Sequence, residues 1–201
     1  YYAAVSAYNL QKYSQALKYF QEYLSTGTDT QQKDCYVYMN MIYQSQKNYS
    51  EQERVLEEAI AKYPVSLDFL YNLVNVHIAT NNMPKLLSAI DRILEVDPNN
   101  DKVLPIKARI NFNVATEIVN NGATIANDTE YALVRQRASG YLLDAKDLFL
   151  KILEKEPSSK MYMQGLAGVY QYMDMKSEYE VLMKIITDGA SCLLYTSPSP
   201  R

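Results

Sequence analysis

The 201-residue chain contains one histidine, two cysteines, no tryptophan and six glycines. His77 has no serine or cysteine nucleophile placed with it, so the parts of an acid–base or nucleophilic centre are missing. Cys35 and Cys192 form neither a disulfide framework nor a metal-ligand spacing. Gly165-x-x-Gly168 lies in helical sequence without the preceding strand that a phosphate loop requires, and close packing of helices accounts for it better. No apolar run is long enough to span a membrane. A net charge of −3 lacks the basic excess that nucleic-acid backbones demand. Catalysis, cofactor binding, metal binding and nucleic-acid binding therefore find no support.

What the chain has is apolar residues at helical spacing, within a 48% hydrophobic composition that can build a sizeable core. Leu70, Leu73, Val74 and His77 make one stripe, and Leu86, Ala89, Ile90, Ile93 and Leu94 another. A polar break at Asn81-Asn82 separates them. Pro84 suits the start of the second helix and Pro98 stops it. Two such helices form an antiparallel hairpin whose second apolar face needs a neighbour.

The neighbours are present, because Pro64 and Pro98 lie 34 residues apart. Lys33–Ser66 and Leu67–Asn100 then form consecutive units, with Tyr36, Met39, Tyr43, Leu56 and Ala59 in the first and Leu70, Leu73, His77 and Ile90 in the second at corresponding positions. This pattern resembles the tetratricopeptide repeat (TPR). Asn40, Gln52, Val74, Leu86 and Ile93 depart from the small residues that the resemblance implies, and His77 stands where it implies an aromatic packing residue. The expected fold is all-α: a right-handed α-solenoid of about five TPR-like helical hairpins with the fourth elongated. The expected repeats are 1–30, 33–66, 67–100, 101–159 with the long hairpin, and 160–190, within a solenoid over 1–191.

Several local signals set the register. Ser14, Ser50, Pro84 and Ser177 share one repeat position, and Ser50-x-x-Glu53 and Ser177-x-x-Glu180 have capping-box spacing. Gly27 is a candidate helix C-cap. The next closing proline after Pro98 is Pro157, so the fourth hairpin has room for helices from about Lys102 to Asn120 and about Asp128 to Lys155, with Asp128 as a candidate cap. The chain resembles bacterial TPR proteins that carry one long hairpin and are often exported. A periplasmic or envelope location is accordingly favoured, and any signal peptide would precede Tyr1. The last ten residues, Cys192–Arg201, match no repeat position. They resemble the translation of a sequencing adapter, the alternative being a Pro/Ser-rich tail.

The TPR resemblance implies a groove lined by the first helix of each hairpin. Tyr8, Met41, Gln44, Tyr71, Asn75, Ile78, Arg109, Phe112 and Gln164 would point into it, with Met161 beside them. Apolar groups there would bury a ligand while amides pair with its backbone. The expected function is a non-enzymatic protein–protein interaction or scaffolding module whose partner is a protein or peptide. The chaperone-tail-binding class resembles this chain in fold. However, Tyr1, Val5, Tyr38, Asp68 and Asn72 would occupy its carboxylate clamp, and Asp68 carries the wrong charge. Two alternatives stand beside this reading: an exported envelope protein handling glycans or outer-membrane assembly, and a regulatory repeat domain of a larger protein.

Overall fold

The computed structural model describes residues 1–189, which are all-α; the tail from Cys192 lies outside them. The chain divides into two compact units, Tyr1–Pro98 and Asn99–Arg201.

The first unit holds α1 (Tyr2–Asn9), α2 (Tyr13–Leu24), α3 (Asp29–Ser45), α4 (Tyr49–Lys62), α5 (Leu67–Ala79) and α6 (Met83–Val96). Each helix packs on the next within a hairpin, and α2 on α3 and α4 on α5 join successive hairpins. Stacking of this kind buries a shared core that no single pair could close. Phe20, Met39, Ile42, Leu56, Phe69, Leu70, Leu73, Ile90 and Ile93 are its large, fully buried members.

Asn40 and Gln52 stand in this core where TPR hairpins carry small residues. The Gln52 Nε2 amide donates to Asn40 Oδ1 at 2.9 Å, so the interhelical space is filled by an amide pair instead. Gln52 Oε1 and His77 Nδ1 are buried without a hydrogen-bond partner among the described residues. Burial of that kind is costly, because an unpaired polar atom forfeits its hydration.

Four hairpin turns share a chemistry that the sequence reading did not anticipate. Gln11, Lys47, Asn81 and Asp174 all adopt left-handed φ values, of 57°, 53°, 50° and 58°. Immediately after them, the N–H groups of Lys12, Asn48, Asn82 and Met175 reach back to the carbonyls of Ala7, Tyr43, His77 and Tyr170 at 2.9–3.0 Å. This is a Schellman-type closure of the first helix. It usually recruits glycine, yet none of the four is glycine.

The helix starts correct three expectations. Helix α4 is capped by Asn48, whose side chain accepts from the Glu51 N–H, and α6 by Asn82, which accepts from Lys85 N–H. Ser50 is therefore inside the first turn, not a cap. Ser177 is likewise inside a helix and donates to Glu178 Oε2 at 2.6 Å, so neither capping box forms. At the long hairpin Asn127, not Asp128, is the cap, accepting from Thr129 and Glu130 N–H at 2.9 and 3.1 Å. At α4, α6 and α8 the asparagine side-chain oxygen stands just before the helix, where it faces the free N–H groups, whereas α10 follows Met175 with no side-chain cap. Gly27 is not a C-cap either. Helix α2 is capped by Ser25, and a Cβ on Gly27 would fall 2.2 Å from the Tyr23 ring, which explains the glycine sterically.

The second unit holds α7 (Leu104–Gly122), α8 (Asp128–Lys155), α9 (Lys160–Tyr172) and α10 (Lys176–Asp188). Helix α7 begins two residues later than expected, because the Asn100 side chain accepts the Lys102 N–H at 3.2 Å and holds a turn there. The 28-residue α8 packs along α7 and then against α9, which pairs with α10. Pro64, Pro98 and Pro157 all fall just beyond helix ends, since α4, α6 and α8 stop at Lys62, Val96 and Lys155.

Candidate ligand-binding faces

In the first unit, α3 presents Val37, Met41 and Gln44 at single-face spacing, and α5 presents Tyr71, Asn75 and Ile78. Val37, Met41 and Ile78 are 39%, 42% and 50% exposed, far more than the buried stripe on the opposite side of the same helices. Gln44 and Asn75 are exposed and Tyr71 is half-buried. The second helices offer a different surface. Arg54 pairs with Glu51 and Glu58 along α4, while Lys85 and Arg92 of α6 pair with Glu53 and Glu57 of α4 at 2.6 and 2.8 Å. The α4/α6 face is therefore ion-paired and hydrated, and the α3 and α5 faces are apolar with amides.

Tyr8 is less free than its groove assignment implies. Its ring lies 5.0 Å from Tyr38, which stacks on Phe20 at 5.2 Å with the planes 6° apart. Nearby, Tyr1 donates to Asp34 Oδ2 at 3.0 Å, and burial together with that carboxylate pushes the phenol up to about 12.

In the second unit the sequence-assigned residues Arg109 and Phe112 come together with Pro105 and Ile106 on α7, Met161, Tyr162 and Gly165 on α9, and Phe149 on α8. They enclose a cleft of about 200 Å³. Two glycines shape it. A Cβ on Gly165 would lie 2.6 Å from Phe149 Cζ, and one on Gly168 would lie 2.8 Å from Phe112 Cζ. Only glycine lets both rings lie against α9, and Phe112 also meets Tyr172 edge-on at 5.8 Å. Gln164 is exposed on α9 but does not line the cleft. Phe149 was missed as a floor residue because it sits on a second helix, whose apolar positions read as core. Gly165, read as a packing residue, was the available signal.

The remaining chemistry-bearing residues do not form a centre. His77 is 3% exposed, and burial lowers its pKa, so the ring is held neutral. Cys35 is fully buried and its thiol is pushed up to about 11 by that burial, which suppresses thiolate chemistry. Among the described residues no group of His, Cys, Asp or Glu is placed to hold a metal ion, and no helix is long and apolar enough to cross a membrane.

No protein-family model matches the chain, and no curated protein sequence does. Solved structures match its fold. A candidate protein-binding protein from Bacteroides ovatus ATCC 8483 is 16% identical with a TM-score of 0.59, over 86% of this chain and 95% of that one. YrrB, described as a TPR protein with an unusual peptide-binding site, is 16% identical with a TM-score of 0.54, over 92% of this chain and 82% of its own. A MamA structure is 16% identical with a TM-score of 0.53, over 98% and 94% respectively. At this identity the likeness establishes the fold alone: the chain is built from TPR-like helical hairpins.

Proposed function

We propose that the chain is a non-enzymatic binding module that takes a peptide or a partner helix on the faces of its first helices. The observation that carries this reading is the asymmetry within the first unit. Large apolar side chains are exposed along α3, at Val37 and Met41, and near the C-terminal end of α5, at Ile78, whereas α4 covers its outer face with ion-paired charges. Exposed apolar side chains beside Gln44 and Asn75 suit a ligand that buries side chains and offers backbone groups to the amides. Fold analogy adds support, since YrrB is described as having a peptide-binding site. A net charge of −3 makes nucleic acid the poorer partner.

The test is selection of peptides from a displayed random library on the immobilised protein, followed by titration of a selected peptide. Met41→Glu and Ile78→Glu are at exposed positions, so thermal unfolding should be unchanged. Each should weaken binding by about tenfold, the scale expected when one apolar side chain loses its burial. Undiminished affinity in both variants would remove the α3 and α5 faces from the ligand site.

A further inference from the structure

The cleft between α7, α8 and α9 has a size and charge that specify its occupant more narrowly. Its volume of about 200 Å³ is below the roughly 300–1,000 Å³ of sites that enclose a drug-sized molecule or cofactor. It has room for one large side chain. The floor is Phe112 and Phe149, the walls are Pro105, Ile106, Met161 and Tyr162, and Gly165 opens the way to the Phe149 ring. Such a lining rewards an aromatic or branched aliphatic group and offers a polar one only the Tyr162 hydroxyl and the Arg109 guanidinium.

Arg109 is the only charged residue in the lining, and no acidic side chain joins it there. It is exposed and makes no ion pair among the described residues. Among the other described arginines, Arg54, Arg92 and Arg135 each hold a carboxylate at 2.5–2.9 Å, whereas Arg137, on the exposed side of α8 and away from this cleft, makes no ion pair either. An unmatched guanidinium beside an apolar cleft is complementary to a carboxylate presented next to an apolar side chain. A chain-terminal carboxylate is normally captured by several converging donors. The lining supplies a single guanidinium, which fits an internal Asp or Glu side chain.

We propose that this cleft binds an internal segment of a partner protein in which a Phe- or Leu-type side chain enters between α7 and α9 and a neighbouring Asp or Glu pairs with Arg109. The proposal rests on the peptide-binding reading above and narrows it to acidic, apolar-anchored sequences for the second unit.

The test uses the full chain labelled with ¹³C at its methionine methyls. Met161 reports on the cleft, where it is 63% exposed, and Met41 on the first unit, where it is 42% exposed. Acetylated and amidated six-residue peptides are titrated, with a central Phe flanked by Glu, Gln or Lys, plus a Glu-flanked peptide with Ala in place of Phe and a peptide ending in Phe with a free carboxylate. The Met161 resonance should shift with the Glu-flanked Phe peptide. Replacing Phe by Ala should weaken binding about tenfold or more, and Glu should exceed Lys by up to about fivefold, the range of an exposed ion pair. Arg109→Glu, a surface change, should invert the Glu-over-Lys order. Equal affinity for the three flanks, or an order that Arg109→Glu leaves intact, overturns the carboxylate assignment. Tightest binding by the free-terminus peptide overturns the internal-segment assignment. Shifts at Met41 with Met161 silent refute the cleft while sparing the first-unit reading. Silence at both with every peptide refutes the cleft, and the peptide-binding reading falls only if the library selection also fails.

Discussion

Replacing two helical glycines by the same residue should move stability in opposite directions. Gly140 lies within α8 with nothing within 4 Å of where a Cβ would stand. Gly140→Ala should therefore collect the full helix preference of alanine, about 1 kcal/mol. Gly165 lies within α9, and there a Cβ would stand 2.6 and 2.7 Å from Phe149 Cζ and Cε1. Comfortable carbon contacts are roughly 3.5–4.0 Å, so the ring or the helix must yield by about 1 Å. Phe149 is 5% exposed, so its ring can yield only by repacking against its neighbours or by moving into the cleft that it floors. Overpacking at such a site costs about 1–3 kcal/mol, which exceeds or cancels the helix gain of about 1 kcal/mol. Gly165→Ala should thus be neutral to about 2 kcal/mol destabilising. For a chain of this length 1 kcal/mol corresponds to roughly 2–4 °C, so Gly140→Ala should raise the melting temperature by that amount while Gly165→Ala leaves it unchanged or lowers it. Circular dichroism melts and urea titrations read both. Adding Phe149→Leu to Gly165→Ala should recover part of the loss, with a coupling of at least about 0.5 kcal/mol between the two sites. Equal stabilisation by both glycine replacements would refute the close approach of Phe149 to α9, and with it the floor of the cleft.

Two further outcomes follow from other parts of the molecule. Burial lowers the pKa of His77 below its ordinary 6.5, so the unfolded chain takes up the proton first as the solution is acidified. That contribution to stability is intact above about pH 6.5 and is lost as pH falls towards the lower folded value, with a slope of at most about 1.4 kcal/mol per pH unit. His77→Phe should flatten this part of the curve; the same fall in urea midpoint between pH 7.5 and 5.5 in both proteins would show that His77 is not its source. Lys47 holds φ at 53°, a conformation costing an L-residue about 1–2 kcal/mol. After about 0.5–1 kcal/mol for the greater freedom of glycine in the unfolded chain, Lys47→Gly should stabilise by about 0.5–1 kcal/mol in a urea titration. A loss of stability would mean that the turn does not need the left-handed residue.

Terms acting within a few residues were legible in the sequence. Apolar stripes placed α3 to α6, prolines marked the ends of α4, α6 and α8, and the absence of a breaker in 127–140 let α8 run through. The same local reading failed at the helix starts. Asparagine and serine both satisfy N-terminal N–H groups, and a shift of two residues exchanges a cap for a first-turn residue. Only the backbone path decides between them. Two of the four left-handed turns were hidden for a similar reason, since Gln11 and Lys47 do not announce that conformation, whereas Asn81 and Asp174 are of the types that visit it.

What the sequence determined by itself is that the chain is a series of helical pairs, each with a second apolar face that another pair must cover. Tertiary structure alone decided what the surplus apolar residues do. Phe149 is 44 residues from Pro105 in sequence, and no helical period connects them. They line one cleft because α7, α8 and α9 converge and Gly165 lacks the side chain that would keep the ring away. Periodicity assigns a residue to a face of its own helix. Which faces meet, and where they leave a gap, depends on contacts between distant segments.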